Sequence, residues 1–219
     1  MYTRARGTLA RSWVGACVRP LSRRCSYGDL ALGDSISIDD YTGVPDGGAT
    51  SQLARKLGFD LIDLTRDGNT TQGVLADLAR APTSTDVVTL TAGGNDLLGG
   101  DSPRAILRRL DQITQRLQPL GARVIVNTVY DPSDGDNAIG RRELGLSRVA
   151  TVELRRRLNA LNGGIAKLAR ERGLLLADLE RLCHGHGLAS DEPWFVQVIE
   201  PNLAAATAIA EHWHKLLSS

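Results

Sequence analysis

The stretch Val87-Val88-Thr89-Leu90 constrains this chain more than any other. It is a near-continuous apolar, β-branched run, the pattern of a strand covered on both faces. Such a strand needs helices above and below it, and the flanking sequence supplies them. Ala49 to Leu57 carries Leu53, Ala54 and Leu57 on one face and stops at Gly58. Thr70 or Thr71 caps a helix through Val74, Leu75 and Leu78 that ends before Pro82. Pro103 to Leu117 aligns Ile106, Leu107, Leu110, Ile113 and Leu117. Val149 to Arg170 sets Leu154, Leu158, Leu161, Ile165 and Leu168 in an inward stripe, and Leu203 to Leu217 turns Leu203, Ala206, Ala210, Trp213 and Leu217 inward. Short apolar strands separate these helices: Leu30 to Leu32, Phe59 to Leu64, Asp86 to Leu90, Arg123 to Val129 and Leu174 to Ala177. The alternation predicts an α/β fold, a three-layer α/β/α sandwich with a mainly parallel central sheet.

The 219 residues suit one domain with ample chain for a core. A formal net charge of +1 gives no general attraction to nucleic acid or anionic membrane. That value hides an asymmetry, because residues 1–28 hold six arginines and no acid, so the remainder is net negative. The opening segment is read as an extension, either disordered or translated from a start placed too far upstream. Its composition also has a superficial likeness to an organelle transit peptide. A single domain is expected over residues 29–219. No run is apolar enough for a secretory signal or a bilayer span, which points to a cytoplasmic protein. Cys17, Cys25 and Cys183 are an odd number and suggest no disulfide framework.

Three short motifs follow the strands. Gly33-Asp34-Ser35 ends the first, Asp67-Gly68-Asn69 the second, and Gly93-Gly94-Asn95-Asp96 the third. In an open parallel sheet, ligands bind at the edge where strands end. A serine there needs a base within hydrogen-bond reach, and attack on an ester carbonyl needs fixed donors for the oxyanion. The backbone N–H groups of Ser35 and Gly68 and the side-chain amide of Asn95 are candidate donors. Asn95 also suits the plainer role of a turn residue capping the next helix.

Gly-Asp-Ser early, a lone glycine in the middle, Gly-x-Asn-Asp next and Pro201-Asn202 before the last helix resemble, in that order, the SGNH (GDSL-type) hydrolase family. The resemblance spans about Leu30 to Leu217. It implies a flavodoxin-like SGNH fold, Ser35 as nucleophile and Gly68 and Asn95 as oxyanion donors. The chain departs from the family where an Asp-x-x-His step usually precedes the last helix. Here Gln197 stands at the aspartate position and Glu200 at the histidine position.

Three arrangements remain open for the base. His186, or His184 beside it, reaches Ser35 from the Gly-flanked loop Cys183 to Gly187, with Glu200 orienting the imidazole. Alternatively Glu200 is itself the base, provided that burial raises its proton affinity. Or hydrolysis is lost and the chain binds an acyl or carbohydrate ligand. Asp191 could replace the missing orienting acid, or hold its loop through backbone bonds. Trp194 and Phe195 read as packing, Arg155, Arg156 and Arg157 as the solvated face of their helix, and Cys183-His184-x-His186 as a weak zinc pattern. The expectation is a serine esterase acting on a small acyl ester, with no metal or organic cofactor. No nucleic-acid partner or integral membrane association is expected, and the oligomeric state is not set by the sequence.

Overall fold

All five side chains of strand β3 (Val87–Thr91) are buried, and alternate ones enter different cores. Val88 and Leu90 meet Val74 of α2 (Thr71–Asp77), Ile106 and Leu110 of α4 (Pro103–Leu117), and Leu161 and Ile165 of α6 (Arg148–Arg172). Val87 instead joins Leu53 of α1 (Ala49–Leu57) and Ile209 and Trp213 of α8 (Leu203–Leu217). The period of two along a strand therefore builds two helical layers on one sheet. The structure is a computed structural model and describes residues 28–219. The arginine-rich opening, up to Tyr27, lies outside the described residues.

Five parallel strands make the sheet, in the order β2-β1-β3-β4-β5. They are β1 (Gly28–Gly33), β2 (Asp60–Thr65), β3, β4 (Arg123–Asn127) and β5 (Leu175–Ala177). From β1 the chain moves outward to β2, then returns past β1 to β3. The crossover connections leave in opposite directions there, which opens a crevice at the carboxyl ends of β1 and β3. Ser35 follows the first of those strands and Asn95 the third, so the order of strands puts them at one crevice.

Helix starts follow their local chemistry. Ser102, Ser147 and Asn202 each accept a backbone N–H three residues on, at 3.3, 3.2 and 3.1 Å, capping α4, α6 and α8. Trp213 is fully buried, and its indole N–H donates to Asn127 Oδ1 at 2.7 Å, so the ring brings no orphan donor into the core. Among the described residues no helix is long and apolar enough to cross a membrane.

Some short elements differ from the sequence reading. The polar stretch from Asp131 to Gly140 holds the start of a helix, α5 (Asn137–Leu144), capped by Asp136 through Ala138 N–H at 2.7 Å. Two more short helices, α3 (Gly94–Leu98) and α7 (Leu179–Cys183), close the β3 and β5 connections. A two-stranded hairpin, β6 (Phe195–Val196) with β7 (Glu200–Pro201), precedes α8. None of them is long enough to show a helical or strand period.

Candidate active site

Gly33 ends β1 at φ 138°, where a Cβ would lie 1.8 Å from Thr91 O. Only glycine lets β1 press this closely on the end of β3. The Asp34 N–H donates to Thr91 O at 3.0 Å, and the Asp34 carboxylate accepts from Ile36 N at 3.3 Å. The turn that carries Ser35 is thus pinned on both sides. Asp34 is buried, and that burial pushes its carboxyl up to about 7 against the hydrogen bonds it accepts, with Glu200 adding repulsion.

The turn after β2 presents Gly68 in the left-handed region, at φ 67°. The next residue, Asn69, locks this turn to β1. Its side-chain amide donates to Gly33 O at 3.0 Å and to Asp77 Oδ2 at 3.1 Å. Asn95, in the first turn of α3, donates to Asn69 O at 2.9 Å. One amide hydrogen of Asn95 is therefore committed to the Gly68 loop, and the second remains for a ligand. Asp96 has a different task. It is buried, accepts from Thr71 N at 2.9 Å, from Thr71 Oγ1 at 2.5 Å and from Arg109 at 2.9 Å, and so ties α2 and α4 to the loop after β3. Sequence reasoning did not single out Asn69 as part of the site; its only signal was its place directly after the left-handed glycine.

Ser35 and Asn95 line one cavity of about 100 Å³. Its walls are chiefly apolar, with Leu97, Val129, Leu144, Leu154 and Leu158 among them. Gly68 is exposed outside that lining. Among the described residues, neither the Ser35 nor the Gly68 N–H is engaged in a hydrogen bond. Two of the three candidate oxyanion donors thus share the cavity, and the third is tethered to it through Asn69.

Glu200 is buried close to Ser35, whose side chain favours the ionised carboxylate, and its Oε2 is buried without a hydrogen-bond partner among the described residues. Burial raises its proton affinity above the ordinary glutamate value; the Ser35 hydroxyl opposes the rise and Asp67 adds to it. The hairpin that delivers Glu200 is strained. Gln197 and Val198 both lie at positive φ, 46° and 76°, a region that a β-branched residue rarely enters. The Tyr130 hydroxyl holds this hairpin by donating to Ile199 O.

The structure does not bring His186 to Ser35. The imidazole stacks on Trp194, with ring centroids 3.9 Å apart and planes 5° from parallel, and its Nδ1 lies 3.2 Å from Glu192 O. His184 is exposed, 3.4 Å from Asp134. Neither histidine lines the cavity. The Asp134 carboxylate accepts from the Gly185 and Gly187 amides, which holds the Gly-flanked loop against the stretch that follows β4. Gln197 and Asp191 are exposed, and neither orients a base. Phe195 is buried against Tyr130 at 4.6 Å, as packing. One further reading needs correction: of the three arginines taken as a solvated face, Arg155 is half-buried and lines the cavity.

The cavity therefore joins a buried hydroxyl and the Asn95 amide on an apolar wall, with the Glu200 carboxylate close to the serine. A family model described as GDSL-like lipase/acylhydrolase matches residues 31–207, a span that contains all five residues discussed as candidates. No curated protein sequence matches the chain at a significant level. Among solved structures, an extracellular lipase from Streptomyces rimosus is similar at 22% identity and TM-score 0.64, covering 87% of this chain and 99% of that one. A phospholipase A1 from Streptomyces albidoflavus is similar at 20% identity and TM-score 0.65, covering 88% and 98%. A lipolytic G-D-S-L family protein from Veillonella parvula is similar at 16% identity and TM-score 0.69, covering 88% and 98%. At these identities the likeness is one of fold. The matched family model, with Gly-Asp-Ser, Gly68 and Gly-x-Asn-Asp at successive strand ends, shows that the chain belongs to the GDSL-like lipase/acylhydrolase family.

Proposed function

We propose that this protein is a serine esterase in which Glu200 takes the part of the general base. The observation that carries the reading is a buried Glu200 carboxylate close to Ser35, a serine that lines an apolar cavity. An ordinary glutamate is a weak base for a serine hydroxyl, with a reference pKa of about 4.3. Burial and the nearby Asp67 charge raise that basicity. The orphan Oε2 adds to it, since a buried carboxylate short of donors holds a proton more readily.

In the reaction, Ser35 Oγ attacks the ester carbonyl as its proton passes to Glu200. The carbonyl oxygen gains the negative charge, and the Ser35 N–H, the Gly68 N–H and the free Asn95 amide hydrogen stabilise it. Collapse of the tetrahedral adduct breaks the bond to the alcohol oxygen, which takes the proton back from Glu200. Water then repeats the sequence on the acyl-serine, with Glu200 accepting its proton, and frees the acid. The cavity volume and its aliphatic lining favour a short acyl ester.

A second reading, ligand binding without turnover, draws on the same replacement, because a carboxylate stands where the family carries imidazole. Turnover of short p-nitrophenyl esters by wild type and by Ser35→Ala separates the two. The esterase reading expects hydrolysis that Ser35→Ala abolishes. Wild type with no turnover across the acyl panel would favour the binding reading.

A further inference from the structure

The cavity wall contains one cation whose hydrogen-bonding capacity is unused. Arg155 projects from α6 one turn before Leu158, and both line the cavity. Its Nε is buried and has no hydrogen-bond partner among the described residues. The Asp131 carboxylate is nearest, with Oδ2 at 3.7 Å from Nε, close enough to balance charge but too far for a hydrogen bond. The Asp131 oxygens are already occupied by Ser133 N and Oγ, at 2.9 and 2.6 Å, and by Gly135 N at 3.2 Å. Among the described residues, no other group accepts a hydrogen bond from this guanidinium. A buried donor without a partner is costly, and most such groups in native proteins are satisfied. The Arg155 side chain as a whole is partly exposed and lines the same cavity as Ser35.

Resting on the esterase reading above, we infer that Arg155 is a specificity residue. It recognises an oxygen acceptor, a ketone or a carboxylate, carried on the acyl group that occupies the cavity. The fork of N–H groups suits a planar oxygen acceptor, and Asp131 keeps the cation tolerable in an apolar wall when the site is empty. The aliphatic lining supplies contact area but no direction. Arg155 supplies direction, and with it discrimination between acyl groups of equal length.

The test compares p-nitrophenyl 4-oxopentanoate and p-nitrophenyl hemisuccinate with p-nitrophenyl pentanoate, in wild type, Arg155→Met and Arg155→Lys. The readout is the ratio of kcat/KM for each oxygen-bearing ester to that for pentanoate. A hydrogen bond to a charged group predicts a ratio about ten- to a hundredfold lower in Arg155→Met. A fall confined to hemisuccinate assigns the subsite to carboxylates, and a fall for both assigns it to oxygen acceptors generally. Equal ratios in wild type and Arg155→Met overturn the inference. If Arg155→Met does not fold, as judged by its melting curve, the ratio in Arg155→Gln, which also removes the cation, decides in the same way, and Arg155→Lys then reports whether charge without the fork suffices. Calorimetric binding of free 4-oxopentanoate and succinate to Ser35→Ala, with and without Arg155→Met, tests the site without turnover. Binding that the second substitution removes supports the subsite even if the esterase reading fails, and binding that it leaves intact overturns it.

Discussion

Replacing Glu200 with glutamine removes the proposed base while keeping the shape of the side chain. Positioned proton transfer contributes about 10²–10⁴ in rate, or about 3–5 kcal/mol of barrier. Turnover of p-nitrophenyl acetate by Glu200→Gln is therefore expected to fall by roughly that factor. Stability is expected to move the other way. Glu200 is buried beside Ser35 with one unpartnered oxygen and a raised proton affinity. A carboxyl that titrates higher in the folded than in the unfolded chain costs stability as pH rises above the ordinary carboxylate range. Glutamine carries no such charge, so at pH 8 the variant is expected to melt at or above the wild-type temperature. The same shift places the rise of wild-type kcat/KM with pH above the ordinary glutamate value, since only the ionised form accepts the serine proton. Paired assays of turnover and thermal melting at pH 8 check both halves. Full activity in Glu200→Gln would refute the role of the carboxylate. Lost activity with a lowered melting temperature would refute the argument from its burial.

Two further outcomes follow from the same structure. Asn95→Ala removes an oxyanion donor and the grip on Asn69 O, and is expected to lower kcat by about a hundredfold or more on the scale of such donors; steady-state kinetics on a short ester check it, and an unchanged kcat contradicts the role. Asp29 is fully buried, both its oxygens lack partners among the described residues, and burial, with repulsion from Asp63, pushes it up to about 7. Between about pH 4 and 7 the folded chain holds that proton and the unfolded chain does not, so stability falls with rising pH by about 4 kcal/mol in total from this group. Asp34 titrates in the same range, so the difference between wild type and Asp29→Asn isolates Asp29. The variant is expected to show a shallower decline in denaturant-derived stability from pH 5 to 8, and parallel curves would refute the assignment.

The sheet was legible in the sequence because its central strands β1, β3 and β4 are largely buried and read as apolar runs, while the edge strand β2 is mostly exposed. The long helices were legible because each repeats its apolar positions over several turns. Ser35, Gly68 and Asn95 were legible as candidates because each follows the end of a strand, Ser35 and Asn95 at the crevice itself and Gly68 at the neighbouring edge strand β2. The position of the base was less so. Glu200 and its hairpin occupy two-residue strands with a strained turn at Gln197 and Val198, which no periodicity announces. The direction of the loop that carries His186 is set by stacking on Trp194 and by the Asp134 carboxylate, contacts that span long stretches of chain. Arg155 sits in a run of three arginines that looks uniformly solvated. Its burial depends on Asp131 and on the loop that leads into α5, and α5 itself was hidden in a polar stretch.

The central claim is that Ser35 is a nucleophile made reactive by its surroundings. A fluorophosphonate probe tests this most directly, because it adds covalently to an activated serine and to little else. The account predicts one adduct per chain, located on Ser35 by peptide mass spectrometry, absent from Ser35→Ala and formed more slowly in Glu200→Gln. A wild-type protein that remains unlabelled, or one labelled at another serine, would contradict it.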